Sequence, residues 1–178
     1  MIMGFQQQVY YQPAPAVEGD FASANPRASV LAGPGSLVAG PTGVTVGRFA
    51  WATSTGQSDV TSGETDFYNL VSNTGVGPPT GFVHREQQAL ITTWLAEASM
   101  LVPAGLPVTL HQAGDFWVRN AGAAASAAGQ KAFANLTDGT VQSGAAGATV
   151  AGTVETKWFV MSAAAPGELM KISSWPLG

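Results

Sequence analysis

Cysteine is absent from the 178 residues. Disulfide scaffolds, thiolate metal sites and cysteine nucleophiles are therefore excluded. Charge is scarce as well: Asp, Glu, Lys and Arg make up 10% of the chain, against roughly 25% in an average globular domain. The seven basic residues are scattered and outnumbered by eleven acids, giving a net charge of −4 and a pI near 4.9. Recognition of nucleic acid through a basic surface is not expected from such a chain. No run approaches the ~20 apolar residues of a membrane-spanning helix. The start, MIMGFQQQVYYQPAP, lacks the basic n-region and apolar core of a secretory signal, so a soluble, uncleaved protein is expected.

What is present is turn-forming and apolar. Twenty-two Gly and eleven Pro punctuate the chain, hydrophobic residues reach 46%, and five Trp, eight Phe and three Tyr supply bulk for a core. Disorder throughout is excluded on that composition. A surface poor in charge but supplied with aromatics suits a component of an assembly, whose surface is partly covered by partners.

Residues 1–28 have neither helical nor strand periodicity. Pro13 and Pro15 impose extended backbone on themselves and on the residues before them. This stretch reads as an extended N-terminal arm with aromatic anchors Phe5, Tyr10, Tyr11 and Phe21. From residue 29 to 178 short strands follow one another at spacings of about 8–12 residues, separated by Gly/Pro turns. Strands are expected near residues 30–32, 36–39, 44–51, 67–71 and 82–84. Residues 106–110 and 115–119 are expected to pair around Gln112-Ala113-Gly114. Residues 131–135 and 140–142 are expected to form a hairpin across Asp138-Gly139. Residues 149–161, with a bulge at Gly152, and 169–173 complete the set.

Residues 53–78 form a long polar excursion. Residues 86–99, EQQALITTWLAEAS, are ambiguous between helix and strand, with strand or a short mixed segment preferred, and the Ala/Gly-rich stretch 121–128 reads as a loop. The fold class that follows is all-β: a single sandwich or barrel, jelly-roll-like, with an N-terminal arm.

Catalytic chemistry finds little support. His84 and His111 are the only histidines; with Asp115 or Glu86 they approach the ligand count of a zinc site, but no dense motif such as HExxH accompanies them, and they read as polar residues at strand ends. No G-x-S-x-G elbow occurs, since Gly33-Pro34-Gly35-Ser36 has the wrong spacing. Glu86 and Glu97 flank an apolar stretch and are the first candidates for a carboxylate pair, but nothing singles them out, and solvated turns or salt bridges are the favoured reading. Neither Gly40–Gly43 nor Gly75–Gly77 is followed by the Lys-Ser/Thr of a phosphate loop. The sequon Asn135-Leu136-Thr137 has no meaning without secretion. No catalytic residue, cofactor or metal is expected.

As a string, the chain resembles the structural cement, or head decoration, proteins of tailed bacteriophages. The residues carrying the resemblance are QPAPAVEGDFASANPR (12–27), VLAGPGSLVAGPTGVTVGRFAWA (30–52), PTGFVHREQQALITTWLAEASMLVPAG (79–105), VTLHQAGDFWVRN (108–120), TVETKWFV (153–160) and ELMKISSW (168–175). Residues 53–78 depart from it, being longer and more polar.

The resemblance implies a non-enzymatic virion protein on the outer surface of an HK97-like head, made in the host bacterial cytoplasm. Its partners would be the major capsid protein and itself, as a homo-dimer or homo-trimer, with no nucleic acid and no membrane. Phe5, Tyr10, Tyr11, Asp20, Phe21 and Arg27 are the expected arm contacts. Arg48, Trp51 and Trp94 are expected in the core or between subunits, and one of Phe116 and Trp117 should face inward. The alternative is a β-sandwich carbohydrate- or receptor-binding module of a phage particle, using an exposed Trp such as Trp51 or Trp175.

Overall fold

The computed structural model describes residues 16–32, 36–54, 68–86 and 100–176. The expected anchors Phe5, Tyr10 and Tyr11, the ambiguous segment 87–99 with Trp94 and Glu97, and half of the polar excursion (55–67) lie outside the described residues. Among those described there are thirteen strands and no helix.

A six-stranded sheet runs in the order β1 (Ala28–Ser29), β8 (Leu110–Ala113), β6 (Gly81–Val83), β4 (Phe49–Ser54), β5 (Tyr68–Ser72), β2 (Val38–Ala39). A five-stranded sheet runs β11 (Val141–Gly144), β10 (Lys131–Asn135), β12 (Thr153–Val160), β13 (Leu169–Ser173), β9 (Asp115–Arg119). A third, two-stranded sheet joins β3 (Val44–Thr45) to β7 (Leu101–Val102). All pairings are antiparallel except β2 with β5. Neither large sheet closes on itself, so the architecture is a sandwich and not a barrel.

The period of two along β4 explains how the layers are filled. Phe49 and Trp51 point into the core between the two large sheets, where they meet Phe82, Phe116, Val118, Trp158 and Ile172. Ala50 points to the opposite face and joins Val44, Val46, Val71, Val83, Val102 and Leu110 in a second core. That second core lies where β3 and β7 contribute. The middle of the six-stranded sheet is thus buried on both faces, and all three residues of β6 are buried.

Three sequence expectations need correction. Residues 44–51 are not one strand. Gly47 adopts φ +77°, and its amide donates to the Val83 carbonyl, which splits the stretch into β3 and β4. Residues 106–119 are not a hairpin either. Gly114, at φ +138°, passes the chain from one sheet to the other, so β8 pairs with β6 and β1 while β9 pairs with β13. Finally, Gly152 (φ +72°) turns the chain before β12 and does not bulge it. The irregularity lies further along, where Lys131 and Phe133 face Phe159 and Glu155, and the Thr156 hydroxyl donates to the Ala132 carbonyl at 2.7 Å.

The hairpin β10–β11 forms as its turn chemistry indicates. Asp138 Oδ1 accepts from the backbone and hydroxyl of Thr140, and Gly139 sits at φ +70°. Residues 121–128 form a loop, organised by the fully buried Asn120. Its side-chain amide donates to the Ala124 and Ala164 carbonyls and its oxygen accepts from the Gly122 amide. No apolar pattern announces that role.

Gly139→Ala and Gly147→Ala separate two costs. Both glycines have positive φ, which costs about 1–2 kcal/mol for any side chain. A Cβ at 139 would also overlap the Phe49 carbonyl, whereas one at 147 meets nothing within 4 Å. Chemical denaturation should show Gly139→Ala to be clearly the more damaging. Equal losses would contradict this packing.

Candidate functional site

The described part of the arm lies along the body of the domain. Gly19 donates to the Trp117 carbonyl, Trp117 to the Asp20 carbonyl and Ala22 to the Asp115 carbonyl, all on β9. Further on, Ala28 and Ser29 pair with Ala113 and His111 on β8. Residues 19–29 therefore run antiparallel to the continuous β8–Gly114–β9 stretch and bind the edge of both large sheets. Residues 23–25 loop outward midway, and there the Ser23 hydroxyl and the Asn25 amide donate to Asp115 Oδ2. Two ion pairs pin the same segment: Glu18 with Arg119 and Asp20 with Arg85, each at 3.4 Å. Partly exposed pairs of this kind contribute little each, about 0–1 kcal/mol.

Phe21 is the hub of this segment. Its ring stacks on His84 at 3.8 Å between centroids, meets His111 edge-on at 5.6 Å and lies 5.3 Å from Phe116. The guanidinium carbon of Arg27 sits 3.8 Å from the same ring centre, a cation–π distance. Of the expected arm contacts, then, Asp20, Phe21 and Arg27 are engaged within the chain. Arg27 is nonetheless solvent-exposed. Phe116 is fully buried, while Trp117 is half-exposed with the Lys171 ammonium 4.8 Å from its ring centre.

Beneath Phe21 the structure gathers His84, Glu86 and His111. Register explains it: Phe82 faces His111 across β6 and β8, so His84, two residues on, lies diagonally across from His111 on the same face. His84 Nδ1 is 3.4 Å and His111 Nε2 3.8 Å from Glu86 Oε1. Both histidine pKa values are lowered by burial, which outweighs the carboxylate of Glu86; for His111 the neighbouring His84 adds to the lowering. For Asp115, burial acts upward, but hydrogen bonds from Ser173, Ser23 and Asn25 hold it below its ordinary value. Asp115, which sequence reading offered as a further ligand, is not part of this group.

A groove of about 600 Å³ opens beside residues 22–26, walled by Asp115, Lys171, Ser173, Trp175 and Pro176. Trp175 is 46% exposed there. Trp51, the other tryptophan considered for stacking on a sugar, is buried, and its indole N–H donates to the Gly77 carbonyl, so it is not available for that role.

Comparison with known proteins decides what family carries this arrangement. The family model of the XM1 gp53 minor capsid protein matches residues 5–174. The chain belongs to that phage capsid protein family. Among solved structures, a chain of the capsid of Myoviridae phage XM1 superposes with a TM-score of 0.62 at 16% identity, covering 97% of this chain and 98% of that one. At that identity the likeness is one of fold. No curated protein matches. The family match spans the segment packed on β8 and β9 and the sandwich together.

Two outcomes follow from this rim, the edge where His84, His111 and Asp115 meet Phe21 and the rest of residues 19–29. Phe21→Ala removes a half-buried ring and should lower stability by about 1–3 kcal/mol, with protease cleavage appearing within residues 16–28; unchanged protease resistance would contradict the hub role. Acid should also destabilise the rim. Unfolded histidines titrate near 6.5 and bind protons that the buried His84 and His111 refuse, so their contribution is complete above pH 6.5 and is lost as pH falls through the lower folded values. Arg27 reinforces this, while Glu86 and, at His84, Asp20 oppose it. Asp115 adds a second loss, of the same sign, below its ordinary 3.8. Melting temperature measured from pH 8 to 4 should fall below pH 6.5, and more shallowly in His111→Gln.

Proposed function

We propose that the protein is a structural cement protein. In this reading it binds the outside of an HK97-like head and braces neighbouring capsomers against the pressure of packaged DNA. It acts as a homo-dimer or homo-trimer, carries out no catalysis, and joins the virion after synthesis in the host cytoplasm. The observation that carries this reading is the match of a minor capsid protein family over residues 5–174.

The chemistry of the chain supports it. Few charges need desolvation on docking, and Leu31 (94% exposed), Val76 (88%) and Trp175 offer apolar contact to a large permanent interface. The arm is the part proposed to reach a neighbour. Phe5, Tyr10 and Tyr11 make the outward contacts. Asp20 and Phe21 anchor the root, and the exposed Arg27 lies beside it.

Because Phe21 packs on the domain, the informative truncation removes residues 2–15 and leaves the root in place. Full-length protein mixed with expanded, undecorated heads should co-sediment and saturate at a fixed ratio to capsid protein. The truncated protein should melt within a few degrees of the full chain and fail to stay on the heads. Retention equal to wild type would refute the arm's role. No binding by the intact, folded chain would refute cementing itself and favour the receptor- or sugar-binding alternative, with Trp175 as the residue to test.

A further inference from the structure

We propose that His84, Glu86 and His111 form a binding site for one divalent transition-metal ion of the zinc class. The site joins the end of β6 to β8 beneath the root of the arm. Three donor atoms, one from each side chain, lie within 4.8 Å of one another. Tetrahedral coordination with bonds of about 2.0–2.1 Å puts ligand atoms about 3.3–3.4 Å apart. The separations from Glu86 Oε1, 3.4 Å to His84 Nδ1 and 3.8 Å to His111 Nε2, are near that value. The Glu86 side chain is 46% exposed, so the carboxylate has room to close the remaining distance.

A second observation points independently to a ligand. The His111 side chain is only 8% exposed, yet neither of its ring nitrogens has a hydrogen-bond partner among the described residues. His84 Nδ1 is likewise buried and makes no hydrogen bond among the described residues, its nearest acceptor being Glu86 Oε1 at 3.4 Å. Leaving such a group unsatisfied costs about 1–3 kcal/mol, and native proteins rarely tolerate it. A metal ion accepts the lone pairs of both rings at once. Neutral imidazole is the form that coordinates.

The donor set selects the ion. Two imidazoles and one carboxylate suit Zn²⁺ and its first-row neighbours, whereas Ca²⁺ needs six to eight oxygens and Mg²⁺ a water-rich octahedron. The surrounding charges allow it. Asp20 is near His84, and of the two nearby cations Arg85 pairs with Asp20 while Arg27 lies over Phe21. Phe21 stacks on His84, so an ion that fixes His84 also fixes the ring that anchors the arm. The proposal stands apart from capsid binding and does not require it.

The test uses the untagged full chain, stripped with chelator and dialysed. Titration with ZnCl₂ should show one ion per chain, a melting temperature rising with metal concentration, and no comparable effect of Ca²⁺ or Mg²⁺. Co²⁺ in place of Zn²⁺ should give the visible absorption of a four-coordinate site. Glu86→Gln changes an exposed group, and His84→Phe keeps a ring against Phe21 while deleting a ligand. Both should retain the metal-free fold by circular dichroism and weaken Zn²⁺ binding at least tenfold. No saturable uptake by the wild type, or uptake that both variants retain undiminished, would overturn the proposal.

Discussion

Everything in this molecule hangs on four aromatic rings wedged between two open sheets. Phe82 lies 4.7 Å from Phe116 and 5.6 Å from Phe49, and Trp158 meets Phe49 and Phe116 at 6.0 and 5.6 Å, in tilted or edge-on contacts. Such geometry adds about 0.5–1.5 kcal/mol per pair to the burial of the rings themselves. The rings come from β4, β6, β9 and β12, two strands from each sheet, so the cluster sets the spacing and the relative position of the layers together. With so few charges and no covalent cross-link, no other interaction among the described residues has comparable reach.

The rim grows from this cluster. Phe116 belongs to the core and also touches Phe21, His84 and His111, so one ring belongs to both environments. The arm root is therefore seated on the core itself. The backbone bonds to β9 and the ring contact together fix the position and the heading of residues 19–22 on the domain.

The sequence was legible where structure is local. Asp138-Gly139 encodes its own turn and the hairpin around it, and the strand rhythm from residue 29 onward follows from Gly/Pro punctuation and period two. It was illegible where structure depends on distant register. Residues 106–119 have the pattern of a hairpin, and only the positions of β6 and β13 reveal that its halves belong to different sheets. The β3–β7 ribbon joins two dipeptides more than fifty residues apart, too short to carry a pattern. The gathering of His84 and His111 follows from the pairing of Phe82 with His111, which neither residue announces. Phe21 was recognised as an anchor from its aromatic character, but its seat turned out to lie within its own chain.

The crossing at Gly114 has a mechanical meaning. Where two layers are joined only by side-chain packing, tension across the interface is resisted by contacts that yield one at a time. Here β8 and β9 are one uninterrupted backbone that passes from the first layer to the second, and residues 19–29 run beside it as a second bonded track. A pull that tries to part the layers at this edge is carried along covalent chain and then by shear across several parallel hydrogen bonds. The edge along which residues 19–29 lie is thus built to bear a load.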